Sequence, residues 1–164
     1  MACGYWNAGV RDHEAAFHVT FRENPFGGEF TVACGLTTAI DFLSTFHFDE
    51  TETDYLASLR GNDGKPLFSA GFLDYLRGLQ LTCEIDAIPE GTLVFPNEPL
   101  IRVRGPIVQC QLLETALLNI LNFESLIATK AARVCLAAEN DPVIEFGLRR
   151  AQGVDGGLTA ARAA

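Results

Sequence analysis

The stretch "ENDPVIEFGLRRAQG", Glu139 to Gly153, decides the reading of the fold. Behind the turn residues Glu-Asn-Asp-Pro, the run Val143 to Phe146 is apolar except for Glu145, the pattern of a strand buried on both faces. A short strand of this kind placed after a long apolar helix is how a parallel α/β arrangement opens. Ligands of such sheets bind beyond the carboxyl ends of the strands, where Arg149 and Arg150 stand side by side. Guanidinium forks match the oxygens of phosphate and carboxylate, Gly147 permits a sharp turn, and Gly153, Gly156 and Gly157 let backbone amides approach an anion. The residues alone leave two readings open, an anion site or a surface ion pair with Glu145 or Asp155.

Upstream, Pro106 at the first helical position opens a helical pattern that runs to about Ala138. It is apolar nearly all round from Ile107 to Leu121, which predicts burial on most faces. Glu114, Asn119, Asn122 and Glu124 interrupt it and make it a poor membrane span. Glu114 reads either as a tuned carboxylate or as a structural acceptor, and Asn119 and Asn122 either orient a ligand or bond the helix backbone. Lys130 and Arg133 share one helix face, solvated or anion-binding.

Before the helix, "LTCEIDAIPEGTLVFPNEPLIRVRGP" has strand character over Leu81–Ile88, Thr92–Phe95 and Leu100–Val103, broken by prolines and Gly91; it predicts a compact antiparallel or mixed sheet. Short helices are expected over Thr53–Leu59 and Ser69–Leu76, and a longer amphipathic one over Phe30–Phe46. Ala15–Asn24 reads as a strand that stops at Pro25. The last residues, "LTAARAA", are helix-forming and end without a cap or stop signal, which reads as the opening part of a longer protein.

Composition narrows the function classes. The chain has 164 residues, 48% of them hydrophobic and 20% charged, enough for one domain with a real core. A formal charge of -9 opposes a broad nucleic-acid surface but allows a local anion site. Cys3, Cys34, Cys83, Cys110 and Cys135 are an odd number, widely spaced, and read as reduced core thiols of a cytoplasmic protein with no metal-ligand spacing. No secretory leader pattern, GxGxxG or phosphate-binding P-loop is present. His13, His18 and His47 have no partner at catalytic spacing.

Four blocks, "ENPFGGEFTVACGL", "IPEGTLVFPNEPLIRVRGP", "QLLETALLNILNFESLIATKAARV" and "EFGLRRAQGVDGGLTAARAA", resemble the nicotinate phosphoribosyltransferase family in order and spacing, from Met1 to Ala164. The resemblance implies an α/β fold: an α+β N-terminal domain over residues 1–105, then, over 106–164, linking helices and the first strand of an irregular type II phosphoribosyltransferase α/β barrel. It implies a transferase of NAD salvage that joins nicotinate to phosphoribosyl pyrophosphate, giving nicotinate mononucleotide and pyrophosphate with ATP hydrolysis coupled. Arg149 and Arg150 match the family's arginine pair, which faces the phosphates of the sugar substrate and the nicotinate carboxylate. Phe146 matches a position that can stack on the pyridine ring, and Gly147 completes the substrate-binding set.

ATP and Mg2+ are implied for the intact family enzyme, with no tight binding expected of these 164 residues. The phosphorylatable histidine belongs to a later motif beyond Ala164, so no catalytic residue and no metal ligand is assigned. The resemblance further implies a homodimer for the intact enzyme, while the acidic charge and the interrupted apolar stretch argue against nucleic-acid and membrane partners and make the cytoplasm the default location. By itself this chain reads as a fragment without turnover. The competing readings are a non-catalytic folding or interaction module and a nicotinamide- or quinolinate-using relative.

Overall fold

A computed structural model describes all residues, Met1 to Ala164. In chain order the elements are α1 (Ala2–Asn7), β1 (Glu14–Val19), β2 (Thr31–Val32), α2 (Leu36–Thr45), α3 (Glu50–Ser58), α4 (Ala70–Arg77), β3 (Glu84–Ala87), β4 (Leu93–Val94), β5 (Ile101–Pro106), α5 (Ile107–Ala138) and α6 (Gly153–Ala163). Helix and sheet are thus mixed, as the α/β class requires. Strands β1, β5 and β3 form one sheet in that order, and β2 pairs with β4 in an antiparallel ribbon in which Thr31 faces Val94. Leu100 N–H donates to the Val19 carbonyl at one end of the β1–β5 ladder and Ile107 N–H to that of His13 at the other, so these two strands run antiparallel.

The chain folds as two compact units whose segments alternate in sequence. The first comprises Met1–Phe17, Asp41–Glu84 and Val103–Leu113. Its core gathers Ala2, Phe72, Leu76 and Val108, with Trp6, Phe68 and Tyr75 packed on it. Local chemistry explains the helix starts. Asp49 accepts from Glu52 N–H at 2.8 Å while the Glu52 carboxylate accepts from Asp49 N–H at 3.0 Å, a capping box that opens α3. Ser69 caps α4 through Phe72 N–H.

The second unit comprises His18–Ile40, Ile85–Arg102 and Glu114–Ala164. Val94, Leu100, Ile101, Leu117 and Leu121 are buried in it. Helix α5 is long and apolar enough to cross a membrane by length and composition. Two of its hydroxyl side chains nevertheless turn inward: Thr129 Oγ1 accepts from Val32 N–H at 2.9 Å and Ser125 Oγ from Cys34 N–H at 3.0 Å. Both serine and threonine are buried, which is the behaviour of a core helix bracing irregular backbone.

Four expectations are corrected. The run Val143–Phe146 is no strand: it pairs with nothing, and Ile144 and Phe146 are 78% and 87% exposed. A strand exists by its ladder, and apolar composition alone supplies no partner. The helix expected over Phe30–Phe46 begins only at Leu36, because Val32 and Cys34 give their N–H groups to α5 side chains and Gly35 turns the chain at φ 101°. Strand β1 ends at Val19, where its ladder with β5 runs out, rather than at Asn24. Pro106 closes β5 instead of opening α5, a difference of one residue.

Candidate functional site

The arginine pair sits on a tight turn. Gly147 N–H donates to Glu145 Oε1 at 2.6 Å, and Arg150 N–H returns to the Gly147 carbonyl at 2.8 Å, closing a 3-10 turn over Leu148–Arg150. Helix α6 follows, entered through Gly153 at φ 80°. Gly157 is the one buried residue of α6, and the Leu148 side chain lies where a Cβ at that position would project. Gly157 is therefore a packing seat that fastens the turn to the helix, not an amide offered to an anion.

Arg149 and Arg150 are exposed and neither enters an ion pair. The Glu145 carboxylate is turned back onto Gly147, and Asp155 pairs with neither arginine. Of the two readings that the residues left open, the ion pair is absent from this structure. Phe146 precedes the turn with its ring exposed. The turn thus carries two unpaired guanidinium groups, and one exposed aromatic ring precedes it in the chain. That set can hold an anion and a flat ring; it contains no nucleophile and no general base.

The other residues singled out by sequence lie elsewhere. Lys130 Nζ stands 5.3 Å from the centre of the Phe26 ring, and Arg133 Nη1 donates to the Phe26 carbonyl at 3.1 Å. These two cations clamp the Pro25–Gly27 turn, in which Phe26 itself is left-handed at φ 60°. Asn119 and Asn122 are exposed, Asn122 at the rim of a cavity of about 230 Å³ bordered by Phe21, Leu100 and Ser125. Glu114 is half-buried. His13, His18 and His47 are exposed, His47 with Nδ1 at 2.7 Å from the Thr45 carbonyl.

One cluster escaped the sequence reading. Arg162, on α6, reaches Glu124 Oε2 through Nη1 and Glu90 Oε2 through Nη2, each at 2.7 Å. Glu124 is fully buried, and its Oε1 has no partner. Glu90 is fixed in turn by Gly35 N–H at 2.8 Å and Thr37 N–H at 3.3 Å. Burial pushes the Glu90 carboxyl up, but the hydrogen bond from Arg162 and the two N–H donors outweigh it and hold the group at about 2. The Cys34 thiol donates weakly toward both carboxylates and is raised, first by burial and then by their charges. Its sulfur and the two carboxylates lie within 4.8 Å of one another, a spacing open to a metal ion, yet Arg162 already stands as the cation between the carboxylates. The signal in the sequence was Glu124: a carboxylate in the middle of a core helix requires a cation, and Arg162 is the lone cation of an alanine-rich helix.

Residues 1–122 match the family model of the nicotinate phosphoribosyltransferase (NAPRTase) N-terminal domain. A nicotinate phosphoribosyltransferase of Caenorhabditis elegans is 44% identical over 163 residues, which is 99% of this chain and 28% of that protein. Nicotinate phosphoribosyltransferase 2 of Arabidopsis thaliana is 46% identical over 164 residues, again 99% of this chain and 28% of that protein. The crystal structure of human nicotinic acid phosphoribosyltransferase superposes with a TM-score of 0.86 at 44% identity, covering 99% of this chain and 32% of the human one. The chain therefore spans less than a third of the length of these relatives.

Proposed function

Because the chain belongs to the nicotinate phosphoribosyltransferase family, we propose that the whole protein transfers a phosphoribosyl group to nicotinate in NAD salvage, and that this chain supplies part of its substrate pocket. The observation that carries the reading is the turn that presents Arg149 and Arg150, both exposed and unpaired, directly after the exposed ring of Phe146. In this reaction the ring nitrogen of nicotinate bonds to the anomeric carbon of phosphoribosyl pyrophosphate as the bond to pyrophosphate breaks. Negative charge accumulates on the departing pyrophosphate. Two guanidinium groups neutralise it and hold the nicotinate carboxylate, while the Phe146 ring aligns the pyridine and Gly147 leaves room for the turn. Binding and orientation are this chain's share of the reaction. Residues from Pro106 onward are assigned to the opening of the barrel, in a cytoplasmic homodimer.

ATP and Mg2+ belong to the same proposal for the whole protein, where ATP hydrolysis drives the transfer. The residues of this chain supply neither a histidine beside the site nor a free set of metal ligands. None of its three histidines belongs to the arginine turn, and the one compact set of possible metal ligands has both carboxylates bound by Arg162. No step here is assigned to either group.

The test is formation of nicotinate mononucleotide and pyrophosphate by the full-length protein, with nicotinamide and quinolinate as competing substrates. Removing one guanidinium–anion contact costs about 1.5–3 kcal/mol, so Arg149→Ala and Arg150→Ala should each lower kcat/KM for phosphoribosyl pyrophosphate or nicotinate roughly 10- to 100-fold. Wild-type kinetics in both variants would refute the placement of the pocket, and turnover of nicotinamide alone would refute the substrate.

A further inference from the structure

Helix α6 is held by little. Gly157 is its one buried residue, and Arg162 its one cation. The first attachment is apolar, with Leu148 seated over Gly157. The second is ionic and spans three segments of the chain. Nη1 of Arg162 goes to Glu124 on α5 and Nη2 to Glu90, whose other oxygen accepts from the backbone of Gly35 and Thr37. Two nitrogens of one planar group thus serve two different carboxylates, which a lysine ammonium cannot reproduce in fixed geometry. Glu124 depends on the arrangement as well: it is fully buried, Oε1 has no partner, and Oε2 has Arg162 and a weak thiol donor.

We infer that Arg162 is a positioning residue for the arginine turn. By tying α6 to Glu124 and Glu90 it fixes the helix on which Leu148 rests, and through Leu148 it fixes the directions of Arg149, Arg150 and Phe146. Arg162 touches no reacting group; it acts through the helix. The inference rests on the reading of that turn as the substrate site.

The experiment uses the full-length protein. Arg162→Gln alone leaves Glu124 buried without a cation and threatens folding, so the decisive variant is Arg162→Gln combined with Glu124→Gln, which removes the buried charge together with the tie. Amide hydrogen exchange across residues 148–163 should rise about tenfold or more in the double variant while residues 114–130 stay protected. KM for phosphoribosyl pyrophosphate should rise about tenfold, the loss of one charge-assisted contact, with kcat changed less than about threefold. Arg162→Lys should recover part of the KM. Unchanged exchange at 148–163, unchanged KM, or exchange rising equally in both segments would overturn the positioning role. An unaltered protein that forms no nicotinate mononucleotide would instead sink the proposed function and the positioning role with it.

Discussion

Replacing Gly35 by alanine tests how tightly the β2–α2 connection is laid against α5. The residue is buried at φ 101°, and a Cβ added there would stand 3.2 Å from the Ile120 carbonyl oxygen and 3.2 Å from Leu121 Cα. Both are backbone atoms of a helix and cannot swing aside. Two costs add: about 1–2 kcal/mol for a non-glycine residue in left-handed backbone, and about 1–3 kcal/mol for overpacking against rigid neighbours. Gly91 is the internal control, because it sits at φ 83° with nothing within 4 Å of its Cβ position and incurs only the first cost. For a chain of this size 1 kcal/mol moves Tm by about 2–4 °C, so Gly35→Ala should lower Tm by about 4–20 °C and Gly91→Ala by about 2–8 °C. Thermal unfolding followed by circular dichroism reads both. Equal losses in the two variants would show that the close approach to α5 costs nothing and would refute the reasoning.

The Glu90 carboxyl is held at about 2 against an ordinary 4.5, so its contribution is present above about pH 4.5 and disappears as pH falls toward 2. After allowance for its partial exposure that contribution is about 1–2 kcal/mol, and Glu90→Gln should flatten this part of the acid denaturation curve; an unchanged curve would contradict it. At pH 8 a disulfide exchange reagent should modify exposed Cys135 first, with Cys83, pushed by burial to about 12, and raised Cys34 and Cys110 following only on unfolding, as counted by mass spectrometry. Asp49→Ala removes one side of the capping box and should cost about 1 kcal/mol in urea unfolding, while an isosteric Asp49→Asn should cost less.

Regular elements with strong local signals were legible in the sequence: the short helix behind Ser69, the strands between prolines, the 32-residue helix after Pro106, and the short helix before Leu59, whose start at Glu50 lies three residues ahead of the expected Thr53. Local pattern failed where distant residues decide. Nothing around Val32 announces that its N–H belongs to Thr129, 97 positions away, so the helical stripe in the sequence extends ahead of the helix itself. Val143–Phe146 has the composition of a buried strand, but composition does not reveal whether a neighbouring strand is there to pair with it. The arginine pair was visible as chemistry, since adjacent guanidinium groups in an acidic chain invite an anion. Its support was not: Cys34, Glu90, Glu124 and Arg162 come together from four separate segments, each unremarkable alone.

The seat of Leu148 on Gly157 has a consequence for anyone reading tolerance to substitution. In a saturation library scored by enzyme output, position 157 would rank with the two arginines, because any side chain there evicts Leu148 and swings the turn. Scored for folding alone, the same position would look forgiving, since the turn and α6 are largely solvent-exposed. A glycine that meets no substrate would thus carry the mutational signature of an active-site residue, and comparing the two scores would expose it as a hinge support.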